Sequence, residues 1–295
     1  MNLDTVQGVL CMNKPTEFTS FDVIGKLRGI LHMRRLGHTG TLDPMATGVL
    51  PVLVGKATRA CDILPDQTKS YRAAVQFGWE TDTEDVWGIR TAAYPEMHVT
   101  KEMLDEVIPR FLGEIQQIPP MYSALKVNGQ KLCDIARRGG EVERKPRPVT
   151  IHGIEILGGE KADWTLDVEC SKGTYIRTLC NDIGESLNVG GCMSSLRRIR
   201  AGEFSVDDAH SIEDVQRAKE AGDVESLLIP VDSLFSRAEE YTVSGGSERK
   251  LRCGNDFSCA VSDGEYRVYS QAGEFLALCR AANGRMKTIK SFFEV

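Results

Sequence analysis

Residues 69–79 read Lys-Ser-Tyr-Arg-Ala-Ala-Val-Gln-Phe-Gly-Trp. The alternation puts Tyr71, Ala73, Val75 and Phe77 on one face of a strand. Residues 149–157 and 163–171 alternate in the same way and are expected to pair. In the second, Trp164, Leu166, Val168 and Cys170 share a face. Apolar runs at 8–12 and 49–54 read as buried strands. Helical stripes are interleaved with them. Val23, Ile24, Leu27, Ile30 and Leu31 predict a helix over 21–33, with Ser20 as its N-cap and Asp22 in its first turn. Met103, Leu104, Val107, Ile108 and Phe111 predict one over 100–112, where Pro109 disturbs the last turn. Ile176, Leu179, Cys180, Ile183 and Leu187 predict one over 175–187, and a further helix is expected near 212–219. The class is therefore α+β, a large mixed β-sheet flanked by helices. From residue 238 the texture changes to short alternating segments (266–269, 275–278) and turns at 244–246, 263–264 and 283–284. The expected division is 1–237 and a small β-rich domain over 238–295.

The 295 residues, 41% hydrophobic and 26% charged, suit a folded chain with a sizeable core. No apolar run approaches the ~20 residues of a membrane span, and the first residues lack the basic-then-apolar pattern of a secretory signal. The nine cysteines are odd in number and form no CxxC pair. They read as reduced thiols of a cytoplasmic protein, not as a disulfide framework or zinc site. The five histidines show no HExxH spacing, so no metal site is expected.

The net charge of −6 hides a segregation. Residues 23–42 hold Lys26, Arg28, Arg34 and Arg35 and no acid; 186–202 hold Arg197, Arg198 and Arg200 and no acid. Residues 119–150 carry seven basic side chains against three acidic ones, whereas 203–240 carry eleven acids against three bases. A basic face on an acidic protein would suit phosphates; the alternative is ordinary solvated surface. The stretch 119–148 has prolines at both ends and a short helical pattern at 130–138 closed by Gly139. It reads as a basic excursion from the core.

Residues 36–48 follow neither period and read as a loop rich in Gly, Thr and Pro. Asp43 is its one acid, and Pro44 restricts it to extended conformations. By residue type alone Asp43 is either a turn residue or a catalytic carboxylate. Six residues separate Gly48 from Gly55-Lys56 and Ala57 follows, which is not a phosphate-binding Walker loop. No GxSxG or nucleotide-binding GxGxxG occurs. Chemistry without cofactor or metal is the economical expectation.

The stretch Gly37-His38-Thr39-Gly40-Thr41-Leu42-Asp43-Pro44-Met45-Ala46-Thr47-Gly48-Val49-Leu50 resembles, residue for residue, the active-site motif of the TruB family of tRNA pseudouridine-55 synthases, in its bacterial stand-alone form. Asn13-Lys14-Pro15 with Thr19-Ser20 is similar to the family's N-terminal motif. Lys69-Ser70-Tyr71-Arg72-Ala73 resembles its KxYxA strand, and Thr81-Asp82-Thr83-Glu84-Asp85 the acidic turn after it. Residues 119–126, Pro-Pro-Met-Tyr-Ser-Ala-Leu-Lys, resemble the start of its RNA-gripping insertion. Residues 171–177, Ser-Lys-Gly-Thr-Tyr-Ile-Arg, and Leu196-Arg197-Arg198 resemble later motifs. One departure stands out: the family has glycine two residues after the first proline, where this chain has Glu17.

The resemblance implies a pseudouridine synthase-type catalytic domain and a PUA-like RNA-binding domain over 238–295. It implies isomerisation of uridine 55 in the tRNA T loop after base flipping. Asp43 would be the nucleophile and Arg177 its cationic neighbour. Tyr71 would stack on the base and assist proton removal from C5. Tyr175, Leu196 and Asp85 would shape the uridine pocket, and His38 would stack beneath extruded nucleotides. Lys26, Arg34, Arg35, Lys126, Arg137, Arg138, Arg197 and Arg198 would hold the RNA backbone. The bland alternatives are core packing for Tyr71, Tyr175 and Leu196, a phosphate contact for Arg177 and a structural hydrogen bond for His38. The implied partner is tRNA, through its T-arm and acceptor stem. No cofactor, membrane, guide RNA or protein partner is expected, and the chain is taken as a monomer. A guide-dependent relative and an RNA-folding chaperone are the competing functions.

Overall fold

The computed structural model describes residues 6–65, 67–94 and 98–293. Two compact units account for the chain: Met1–Pro44, Leu50–Asp66 and Asp208–Val295 form one, Met45–Val49 and Gln67–Asp207 the other.

In the first unit the apolar run near the start forms the strand Gly8–Lys14, which pairs antiparallel with the short strand Leu228–Ile229. The helix Ser20–Leu31 packs on it through Val23, Ile24, Leu27 and Leu31, joined by Val215 of the helix Ile212–Ala221. Each fully buried aliphatic side chain stabilises by about 1.5–3 kcal/mol relative to exposure. The cap is Thr19, not Ser20. Thr19 Oγ1 accepts from Asp22 N at 3.0 Å, and Asp22 Oδ2 accepts from Thr19 N at 2.8 Å. This reciprocal box leaves Ser20 free to turn inward. Part of the expected loop is also a strand. Leu36–His38 pairs antiparallel with Val52–Val54, and irregular chain resumes after it.

The C-terminal module lies in this unit. Its sheet runs Glu239–Val243, Gly264–Ser270, Phe275–Ala282, Arg285–Ser291, Phe257–Ser258, parallel at the first pairing and antiparallel thereafter. Val268, Leu276, Ala277, Cys279 and Met286 fill its core. The expected turn at 244–246 is instead the start of a helix, Gly245–Arg252, because Ser244 and the two glycines lead into a basic, helix-favouring run. Arg59 Nη1 donates to the carbonyls of Ser291 and Phe293 at 3.0 and 3.3 Å, and Lys290 pairs with Asp62 at 2.7 Å.

The second unit is built on an antiparallel sheet in the order Gly191–Ala201, Lys69–Phe77, Asp163–Cys170, Arg147–Glu160, Gly113–Gln117. Tyr71, Ala73, Val75 and Phe77 are buried, as are Trp164, Leu166, Val168 and Cys170. Thr47 and Gly48 run parallel to Arg197 and Arg198, which makes the sheet mixed. The helix Ile176–Ser186 buries Ile176, Leu179, Cys180 and Ile183. The helix Lys101–Val107 tightens into a 3-10 turn, Ile108–Phe111, at Pro109. Within 119–148 the strands Lys126–Val127 and Gln130–Lys131 form a hairpin across Asn128-Gly129, both at positive φ, followed by the helix Leu132–Ala136. Among the described residues no helix is long and apolar enough to cross a membrane.

Candidate active site

The loop that carries Asp43 is held by its backbone. Ser20 Oγ accepts from Leu42 N at 2.9 Å and donates to Leu42 O at 3.2 Å. Lys14 is 0% exposed, and its Nζ donates to the carbonyls of Pro15 and Phe18 and, at 3.2 Å, to that of Pro44. Glu17 N also donates to Pro44 O, at 2.8 Å. A buried ammonium costs several kcal/mol unless its protons are taken up; here three carbonyls take them, and one belongs to the residue after Asp43. Asp43 itself is half-buried. His38 is half-buried, with its ring edge-to-face against Phe21 at 5.6 Å between centroids.

The family's glycine at position 17 acquires a physical reason. Glu17 sits at φ +66°, in the left-handed region. That conformation costs an L-residue about 1–2 kcal/mol, against about 0.5–1 kcal/mol of extra chain entropy that glycine loses on folding. Glu17→Gly is therefore expected to raise the melting temperature, by about 2 °C, in a thermal unfolding scan. An unchanged or lower midpoint contradicts this account of the turn.

The second unit gathers the other side chains. Tyr71 is 6% exposed and lies in register with Val168 and Arg198 of its neighbouring strands. Leu196, also buried, faces Ala73 across the same pairing. Tyr175 is half-buried at the N-terminus of the helix Ile176–Ser186. The buried Gln117 side chain accepts from Tyr175 N at 3.0 Å and donates to Tyr175 O at 3.2 Å, as a neighbouring strand would. Arg177 is 4% exposed. Its Nη1 donates to Thr83 O at 2.8 Å, its Nη2 to Tyr122 O at 2.9 Å, and Asp85 Oδ2 lies 3.7 Å from Nη1. Asp85 Oδ1 accepts from Thr83 Oγ1 and from Trp87 N. The acidic turn and the insertion's first residues thus fix the guanidinium plane.

Lys26, Arg34, Arg35, Lys126, Arg137, Arg138 and Arg197 are exposed. Arg198 is not: it is 1% exposed, and its Nε donates to Val49 O at 2.7 Å. Strand alternation explains the difference, since Arg197 points out and its neighbour must point in. The expectation that Arg198 touches an RNA backbone is corrected to a tie between adjacent strands. Beside it, Lys69 is pushed down to about 8 by burial and then by the Arg198 charge.

Acids crowd the helix that carries Arg177. Asp182 is pushed up to about 7, first by burial and then by Glu84 and Glu185. Glu84 is raised as well, mainly by burial, while a hydrogen bond from Thr178 Oγ1 opposes the rise. A carboxyl raised on folding favours its protonated form in the folded state. Stability is therefore lost as pH climbs from the ordinary value of 3.8 to about 7, and the loss is complete above that. Asp182→Asn is expected to raise the urea midpoint at pH 8 and to change it little at pH 4. Equal effects at both values would contradict the burial of this charge.

Lys14, Gln117, Thr83 and Tyr122 hold the predicted residues without having been predicted themselves. Lys14, Thr83 and Tyr122 lie in motifs visible in the sequence and Gln117 in none, and their roles rest on backbone groups that no residue type signals. All nine cysteines are free, and no group of three metal-ligating side chains occurs among the described residues.

Comparison with known proteins adds the family. The TruB family pseudouridylate synthase N-terminal domain matches residues 28–176, and the tRNA pseudouridylate synthase B C-terminal domain matches 177–236. A tRNA pseudouridine synthase B of Clostridium kluyveri is 39% identical over 293 residues, 97% of this chain and 100% of its own. One of Aromatoleum aromaticum is 47% identical over 278 residues, 92% of this chain and 88% of its own. Among solved structures, a Cbf5-Nop10-Gar1 complex aligns at TM-score 0.72 and 26% identity, over 97% of this chain and 85% of the matched one. An H/ACA RNP bound to a substrate RNA aligns at TM-score 0.72 and 24% identity, with the same coverage, and shares the fold. With the two domain matches end to end and near-full-length relatives at about 40% identity, this chain belongs to the TruB family of pseudouridylate synthases.

Proposed function

We propose that this chain converts uridine 55 in the T loop of tRNA to pseudouridine, with Asp43 as nucleophile and without cofactor or metal. The observation that carries the reading is the Asp43 loop, a fourteen-residue match to the family motif whose backbone is clamped by Lys14 and Ser20 on either side of the aspartate. A stiff loop presents one carboxylate in one place, which is what attack on a nucleoside requires. The reaction breaks the bond from ribose to N1, turns the base and rejoins it at C5. Atoms and electrons balance within the substrate, so no redox partner is needed.

A stacked base is out of reach, so the target must be flipped out, at a cost of a few kcal/mol. Tyr71 stacks on the base and assists loss of the C5 proton, and His38 stacks on extruded neighbours. Arg177 supplies the positive charge of the site, while Tyr175, Leu196 and Asp85 shape the pocket. Residues 1–237 form the catalytic part. Residues 238–295 act as a PUA-like domain toward the acceptor stem, and 119–148 grip the T-arm. The enzyme works as a single chain in the cytoplasm, where nine free thiols stay reduced.

The decisive test maps pseudouridine in a naked tRNA transcript incubated with the purified protein alone. Conversion confined to position 55 is expected. Conversion elsewhere, or only after a guide RNA is added, overturns the reading. Binding should also be steeply salt-dependent because the seven exposed cations named above would displace counterions. Affinity is expected to fall about a hundredfold or more between about 50 and 200 mM salt. A flat titration contradicts the basic face.

A further inference from the structure

We propose that Phe21 is a second stacking surface for an unpaired base of the RNA, set edge-to-face beside His38. This rests on the reading above that the chain acts on RNA. Phe21 is 68% exposed, although it lies in the first turn of a helix whose next two residues but one, Val23 and Ile24, are fully buried. Its ring is not loose on the surface. It meets His38 at 5.6 Å with an interplanar angle of 86°, so the Phe21 ring is oriented while the residue stays largely open to solvent. Its position relative to Asp43 is also fixed. Ser20, the preceding residue, holds Leu42 N and O, and Leu42 precedes Asp43.

The surface that continues from Phe21 suits a nucleic-acid strand. Gly25, Arg28 and Gly29 follow at the spacing of one helix face, and all three are exposed. A Cβ built on either glycine meets nothing within 4 Å, so neither glycine is required by packing. The result is an oriented aromatic at one end of a smooth face with a cation, Arg28, near the other. Bases offer a π-face to such a ring whatever their identity, and phosphates pair with the cation. An RNA strand engages both features at once, a base on the ring and a phosphate on the cation.

Full-length Phe21→Ala, Phe21→Leu and Phe21→Trp variants test this against an unmodified tRNA transcript. Affinity is read by filter binding and conversion by pseudouridine mapping. Because Phe21 is exposed, all three should melt with the wild type. Phe21→Ala is expected to weaken binding about tenfold, within the range of base–aromatic stacking. Phe21→Leu should be nearly as weak, and Phe21→Trp should bind as the wild type does. Wild-type affinity in Phe21→Ala overturns the proposal, and so does full recovery by Phe21→Leu, which would mean plain apolar contact. A wild-type protein that converts no uridine of the transcript defeats the functional reading itself, an outcome distinct from either of those.

Discussion

Asp43→Asn is expected to abolish pseudouridine formation while the protein still folds and still binds tRNA. The substitution keeps the shape of the side chain and removes its charge, and a neutral amide neither attacks a sugar or base nor stabilises a cationic one. Loss of a nucleophile costs at least about 10⁴ in turnover. The loop should survive, because Ser20, Lys14 and Glu17 hold it through the backbone of Leu42 and Pro44. Affinity should survive as well, since the proposed grip on RNA lies in exposed cations and aromatic rings. Asp43→Glu supplies the complement. It retains the charge but advances it by one methylene, and a displacement of about 1 Å is expected to cost roughly a hundredfold. Single-turnover conversion of a transcript, with binding measured alongside, checks both. Asp43→Asn turnover within tenfold of wild type would end the nucleophile assignment. A collapse of binding and conversion together would move Asp43 into substrate recognition.

The second large effect is on stability. Gly48→Ala is expected to destabilise the fold by about 2–5 kcal/mol, the sum of left-handed strain and overpacking, and to lower the melting temperature by about 10 °C. Gly48 lies at φ +100°, and a Cβ there would stand 2.2 Å from Arg198 O and 2.9 Å from Arg198 C and N. All three atoms are backbone, so no rotamer change relieves the contact. They belong to the residue that pairs with Gly48 across the parallel register, and the Arg198 side chain reaches back to Val49 O. Opening this pairing would loosen the strand that leaves the Asp43 loop. Urea unfolding measures the change. A loss below about 1 kcal/mol would mean that the neighbouring strand yields easily, contrary to the density of protein interiors.

Legibility in the sequence followed periodicity. The strands Lys69–Phe77 and Asp163–Cys170 and the helix Ser20–Leu31 were visible because one face of each is buried and the other is not. The strand Gly191–Ala201 was not visible, although it pairs with Lys69–Phe77 along most of its length. It carries three arginines, and irregularities at Met193/Ser195 and Arg198/Arg200 break its alternation. The three residues Leu36–His38 are too few to show a period. The helix Gly245–Arg252 opens on residues that ordinarily signal a turn. The site divides along similar lines. Asp43, Tyr71 and Arg177 are candidates by motif, whereas the partners that orient Arg177 act through the carbonyls of Thr83 and Tyr122. Arg198 shows the limit of reading charge as surface: among three arginines in four residues, the pleat hides one.

The basic segment 119–148 is rooted at a point with mechanical consequences. Gln117, two residues before it, grips both backbone groups of Tyr175, and Tyr122, just inside it, gives its carbonyl to Arg177. A displacement of this segment at Tyr122 is therefore passed directly to the guanidinium of Arg177. On the proposed function, the segment that would grasp the nucleic acid and the arginine that would serve the chemistry share one anchorage, so seating of a transcript and alignment of that side chain would rise and fall together.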